Sequence, residues 1–268
     1  MRFLIAVLFT IVSFTVPSFA GEISGNFKFP SDIAVSSNRI YVVDGLNGRI
    51  VVLSKEGKKL STIKADNPYG IYVDADNIYV ASQSGKVFVF SKDGELKKTI
   101  DVSGRLVDVV KLGDNLWVTD AKNNCVKVVS LKTGKLIKSI GEKGSVPGDF
   151  VSPFMLATDG KDVYVVDSIN ARVEVFDKDG NFVRTFGDFG VEEGDLYRPK
   201  GIAVFNGEVA VSDVVNGAVQ LFNPYGAFDG VVAKGLQYPI SIAYDAGTLY
   251  VLEPLKNKIL TFNVQGVK

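Results

Sequence analysis

A five-residue segment recurs six times along the chain: Ile40-Tyr41-Val42-Val43-Asp44, Ile78-Tyr79-Val80-Ala81-Ser82, Leu116-Trp117-Val118-Thr119-Asp120, Val163-Tyr164-Val165-Val166-Asp167, Val209-Ala210-Val211-Ser212-Asp213 and Leu249-Tyr250-Val251-Leu252-Glu253. Successive copies are 38 to 47 residues apart. A period in this range marks a chain assembled from one supersecondary unit that cannot bury its apolar face alone.

The fourth repeat shows the whole unit. Pro153 opens strand A (residues 154–158), the turn Asp159-Gly160-Lys161-Asp162 leads to strand B (163–167), Ser168-Ile169-Asn170-Ala171 leads to strand C (172–176), and Asp177-Lys178-Asp179-Gly180 turns into strand D (181–186). The runs are rich in Val, Ile, Tyr and Phe, while Gly, Asn and Asp sit where a hairpin needs positive φ. Corresponding C-to-D turns recur at Gly57, Gly94, Gly134, Gly226 and Gln265-Gly266. Six four-stranded antiparallel sheets bury their faces by packing around an axis, which predicts an all-β, six-bladed β-propeller over residues 21–268. The sixth repeat has strands A, B and C, but only Val267 and Lys268 follow Gly266. Residues 22–28 precede the first strand A with no blade of their own, so they are expected to supply the missing outer strand and close the ring.

The pattern Pro-x-Gly-Ile-x-Val, apolar-Tyr-Val-x-Asp-x-x-Asn-x-Arg-Val and Asp-x-x-Gly resembles the NHL repeat over essentially residues 28–268. Pro199-Lys200-Gly201-Ile202-Ala203-Val204 and Asp167-Ser168-Ile169-Asn170-Ala171-Arg172-Val173 match best. The histidine of that family is absent from every copy, with Ala171 or Gly217 near its place. The third and sixth repeats diverge most, with Leu106 for Pro and Glu253 for Asp.

The first twenty residues differ in kind. Met1-Arg2 precedes an uncharged apolar run from Phe3 to Val16, and Pro17-Ser18-Phe19-Ala20 follows, which is the pattern of a secretory signal with cleavage expected between Ala20 and Gly21. The run is shorter than the roughly 20 residues of a membrane-spanning helix. An uncleaved N-terminal anchor is the alternative. Export places the protein in the periplasm or outside the cell. The remaining 248 residues carry 29 basic and 30 acidic groups, and this balance argues against nucleic acid as a partner. The single cysteine, Cys125, excludes an intrachain disulfide and reads as a small core hydrophobe.

With no histidine in the chain, a His-ligated zinc, a histidine general base and a Ser-His-Asp triad are excluded. The repeated Asp44, Asp120, Asp167 and Asp213, each followed three residues later by Asn, read as B-to-C turn chemistry and not as a metal ring. Asp32 and Asp108 occupy equivalent positions of strand A in blades one and three, and an all-oxygen calcium site near the channel mouth would have to use them. The equivalent positions in the other blades hold Gly70, Met155, Gly201 and Ser241. Enzymes on six-bladed propellers resemble this arrangement in fold, among them lactonases with a central metal, amidating lyases and strictosidine-synthase-like proteins, but fold alone does not carry function.

Two longer spacings arise from insertions before strand A, at residues 142–152 and 188–198, whose Phe150 and Leu196 are expected to pack between blades. In an antiparallel four-stranded blade the D-to-A and B-to-C connections share one face, so both insertions lie there. Residues flanking strand A bring Tyr69, Arg105, Phe154, Arg198, Lys200 and Tyr238 to the channel mouth on that face, and aromatics and Arg are enriched in binding hot spots. The expectation is a monomeric, cofactor-free, non-enzymatic module of the cell envelope that binds a protein, peptide or glycan there, with no membrane span after signal cleavage. The alternative is a small-molecule hydrolase or lactonase using an oxygen-ligated metal.

Overall fold

The computed structural model describes residues 17–265. They form six four-stranded antiparallel sheets, a two-stranded parallel ribbon and one short 3-10 turn. The inner strands of the six sheets are Asp32–Ser36, Pro68–Val73, Leu106–Leu112, Pro153–Thr158, Pro199–Phe205 and Ser241–Asp245. Each packs beside the inner strand of the next blade, and the first packs beside the sixth. The chain is therefore the expected six-bladed β-propeller.

The recurring segment is the second strand of each blade. It lies between two blades and is covered on both sides: Ile40, Tyr41, Val42 and Val43 are all fully buried, as are Ile78 to Ala81. Burial on both faces explains why the segment is an unbroken apolar run without alternation. The outer strands of blades one to five are mostly exposed instead, with one buried residue near the end of each: Ile63, Ile100, Ile140, Phe186 and Val232. In the C-to-D turns Gly57, Gly94, Gly134, Gly180 and Gly226 all have φ between 73° and 90°, a region that disfavours a Cβ.

The ring is closed by a strand from the N-terminal end, in a register different from the one expected. Ser18–Ser24 pairs antiparallel with Lys258–Asn263, Ser24 opposite Lys258 and Ser18 opposite Asn263, with a shift between Phe19 and Gly21. Of residues 22–28, only Glu22, Ile23 and Ser24 belong to this strand. The Gly25 N–H donates to the Asn257 carbonyl, after which the chain turns into the ring and Phe27 is buried in the core. The Lys28 N–H then reaches Asp44 Oδ1 at 2.7 Å. The expected cleavage point after Ala20 falls inside the closing strand. Residues 1–16 of the expected signal segment, and Gly266, Val267 and Lys268 at the other end, lie outside the described residues. No described helix is long and apolar enough to cross a membrane.

Both insertions anchor themselves as expected. Phe150 and Leu196 are fully buried, and the Phe150 ring lies 5.8 Å from that of Phe176. Arg172 fastens the first insertion. Its guanidinium donates to the carbonyls of Ser145, Val146 and Asp149 at 2.8 to 3.0 Å and pairs with the buried Asp167 and Glu174.

Candidate functional site

The buried acids that end the second strands set the geometry of the mouth. Asp44 accepts from the Lys28 N–H, Asp120 from Arg105, Asp167 from Val151, Asp213 from Tyr197 and Arg198, and Glu253 from Gln237. Each acid thus holds the loop that feeds its own blade's inner strand. The asparagines three residues on donate to Asp44, Asp120 and Asp167 at 2.6 to 2.9 Å, the turn role read from the sequence. Four of these acids also have a cation, in Arg49, Lys127, Arg172 and Lys256. In blade five Ala218 and Gln220 occupy the positions that elsewhere supply one, and Asp213 rests on four backbone N–H groups.

The loops deliver side chains to the axis in layers. Tyr69, Phe154 and Lys200, each one residue past the proline that opens its inner strand, come together: the Tyr69 ring stands edge-on to Phe154 at 6.0 Å, and Lys200 Nζ lies 3.8 Å from the centroid of the same ring. Tyr238 packs beside Phe29 at 6.4 Å. Phe154 is buried, Tyr69, Arg198, Lys200 and Tyr238 are half-buried, and Arg105 is exposed. Burial pushes the Tyr69 phenol up to about 12, and burial together with the neighbouring Arg198 lowers Lys200 to about 8. Among the described residues no carboxylate pairs with Arg105, Arg198 or Lys200. The six mouth residues therefore share one face, but they form a partly packed cap and not an open pocket.

One layer deeper lie Asp32, Gly70, Asp108, Met155, Gly201 and Ser241. Asp32 Oδ1 accepts from the Ile33 N–H and, at 2.6 Å, from the Ser241 hydroxyl of blade six; its Oδ2 accepts from the Ile71 N–H of blade two at 2.7 Å. Asp108 accepts from the Val109 N–H and from Leu156 N–H of blade four. The two carboxylates stitch three neighbouring inner strands, those of blades two, four and six, to their own. Gly70 stands between them because a Cβ there would lie 2.3 Å from the Val107 carbonyl oxygen and 2.6 Å from the Asp108 Cα. Burial raises Asp32 to about 7; burial and then the charge of Asp32 raise Asp108 well above the usual carboxylate range. The residues from this layer toward the A-to-B turns, among them Val35, Val73, Thr158, Val204 and Tyr244, line an axial cavity of about 200 Å³. It lies beneath the cap and includes none of the six mouth residues.

A central divalent cation does not fit this layer. Calcium takes six to eight oxygens. Every oxygen of Asp32 and Asp108 already accepts a backbone N–H, and Gly70, Met155 and Gly201 contribute no side-chain oxygen. Among the described residues no group of three or more acidic or cysteine side chains could hold a metal ion.

The sequence family described as "SMP-30/Gluconolactonase/LRE-like region" matches residues 33–253, from the first inner strand to the last second strand. The chain belongs to this family. No curated protein sequence matches it. Among solved structures, a streptogramin B lyase superposes with a TM-score of 0.66 at 15% identity, covering 91% of this chain and 97% of that one. Virginiamycin B lyase from Staphylococcus aureus gives 0.67 at 11% identity, covering 92% and 99%. A protein of unknown function from Bacteroides thetaiotaomicron gives 0.70 at 19% identity, covering 91% and 73%. At these identities the likeness is one of fold. Within this SMP-30/gluconolactonase-like propeller, the sequence placed Ser241 in the inner layer but did not reveal its role, in which its hydroxyl joins the last blade to the first through Asp32. The signal was present as a lone Ser in a layer otherwise of Asp, Gly and Met.

Proposed function

We propose that this chain is an exported, NHL-type propeller of the cell envelope that works by binding, holding a protein, peptide or glycan partner on the face that carries the D-to-A loops. One observation supports this most: the channel carboxylates are engaged as cross-blade staples, whereas Arg105, Arg198 and Lys200 at the mouth are cationic and have no acid partner among the described residues. Unpaired cations beside the aromatic rings of Tyr69, Phe154 and Tyr238 suit recognition of a polar or acidic group.

The family description includes gluconolactonase, and two structural relatives are titled lyases, so a small-molecule hydrolase or lactonase is the second reading. It would have to draw on Asp32 or Asp108, which are hydrogen-bonded to backbone in the layer that does not fit a cation. The test is crosslinking in the native envelope with the parent and with the triple variant Tyr69→Ala, Arg198→Ala, Lys200→Ala. The variant should lose the specific crosslinked partner at unchanged melting temperature. Normal crosslinking by this variant, with loss on changing Asp93 or Lys178 in the opposite hairpins, would reverse the assignment of faces. Metal-stimulated turnover of a lactone or ester panel would favour the second reading.

A further inference from the structure

We propose that the face carrying the B-to-C turns rests on the surface of an anionic lipid bilayer. This goes beyond the partner reading, since it places a membrane around the mouth and so presents there whatever the mouth binds.

The argument begins with one turn position. Two residues after the acid that ends the second strand, blades one, four, five and six carry Leu46, Ile169, Val215 and Leu255, which are 68%, 43%, 55% and 58% exposed. Blades two and three carry Ser84 and Lys122 at that position. Blades four, five, six and one are consecutive around the ring. The turns share one conformation, with Gly48, Ala171, Gly217 and Asn257 at φ of 53° to 60° in its last position, so rotation about the propeller axis sets the four tips at one height. The inserted loops of blades four and five add Val146 and Val191 on the same face, 61% and 68% exposed. Among the described residues the opposite face offers only Tyr225 in its turns as a large exposed hydrophobe; Phe29 and Phe189 lie on the loop face, and the others lie on the outer strands.

A turn tip needs no apolar side chain to fold, and the polar tips of blades two and three show that the turn forms without one. Four separate apolar tips at one turn position of consecutive blades match a flat and deformable surface better than a single shaped protein pocket. Such binding grows with buried apolar area and with attraction between cations and anionic headgroups. Arg105, Arg198 and Lys200 supply that attraction at the centre of the same face. Of the acids in the inserted loops, Glu193 pairs with Lys234, and Asp149 and Asp195 accept N–H groups within their own loops. Glu142, Asp188 and Glu192 stay exposed, so the attraction is modest and sensitive to salt.

The experiment is co-sedimentation of the protein beginning at Gly21 with vesicles of phosphatidylcholine alone and of phosphatidylcholine containing roughly a quarter phosphatidylglycerol. Binding should be about tenfold tighter to the mixed vesicles and should weaken as salt is raised. The variant Leu46→Ser, Ile169→Ser, Val215→Ser, Leu255→Ser should bind at least about tenfold more weakly at unchanged melting temperature. No binding of the parent to either vesicle, or equal binding by the variant, overturns the proposal. If the tips instead abolish crosslinking to a protein without affecting vesicles, the face is a protein interface. The tip variant leaves Tyr69, Arg198 and Lys200 in place, so lost vesicle binding with crosslinking retained, or the reverse, separates this proposal from the partner reading.

Discussion

The Ser241 hydroxyl of blade six donates to Asp32 Oδ1 of blade one at 2.6 Å, joining two residues 209 positions apart across the seam where the ring closes. The same carboxylate oxygen also accepts the Ile33 N–H. A single buried side chain thus sets how the last blade sits against the first.

Stability should fall with rising pH because of this carboxyl. Its folded pKa, about 7, lies above the 3.8 of an unperturbed aspartate, so the folded state holds the proton more tightly. That contribution is fully present below about pH 4 and is lost as pH climbs through 7. Asp108, Glu174 and Glu208 are shifted in the same direction, mainly by burial. Urea midpoints should therefore be lower at pH 8 than at pH 5, and Asp32→Asn should narrow that gap. Equal gaps in parent and variant would contradict the assignment.

Removing residues up to Ser24, so that the chain begins at Gly25, should expose the edge of the Lys258–Asn263 strand. A loss of about 2 to 3 kcal/mol would lower the melting temperature by about 5 to 10 °C in a domain of this size. A chain beginning at Gly21 retains the pairs from Gly21–Thr261 to Ser24–Lys258 and should lose much less. Calorimetry of the two proteins separates these outcomes; identical melting would show that the closing strand adds nothing.

Gly70→Ala should be among the most damaging small changes, because backbone atoms of blade three stand where the new methyl must go. Gly201 is confined in the same way by Ser212, Ser241 and Ile242. Overpacking of this kind costs about 1 to 3 kcal/mol or more. Gly160→Ala has open space around it, although its φ of 87° adds strain, and is the milder control. Chemical denaturation of the three variants ranks them.

Arg172→Met should leave Asp167 and Glu174 buried without their cation, a loss of about 3 to 5 kcal/mol for a broken buried pair. It should also release the loop held through Ser145, Val146 and Asp149. Hydrogen exchange should rise across residues 142–149 well before the sheets open. Protection there equal to the parent would mean that Phe150 alone anchors the loop.

The repeat was legible because burial on both faces turned each second strand into an apolar run, and the Gly turns marked its ends. The closing strand was legible in kind but not in register: taking residues 22–28 as the strand made Phe27 an edge residue, whereas the strand is Ser18–Ser24 and the Phe27 ring turns into the core. The strand order put the mouth residues at the same end of their blades, but their mutual contacts were not readable. Whether Phe154 stands open or lies under Lys200 depends on how two blades meet, which no local pattern records. The apolar tips were in plain sight as the second residue after each acid. Reading the turns for backbone conformation alone passed over what their outermost side chains present.

The last blade is made from both ends of the chain, and this orders events in time. Ser18 to Ser24 are synthesised before all six inner strands, whereas their partners Lys258 to Asn263 follow all of them. Five blades can form from local hairpins as they emerge, while the sixth waits for a contact that spans nearly the whole length. Until that contact is made the open ring exposes an unpaired strand edge. A nascent chain therefore carries five blades unclosed, and the completed propeller appears in a single final step.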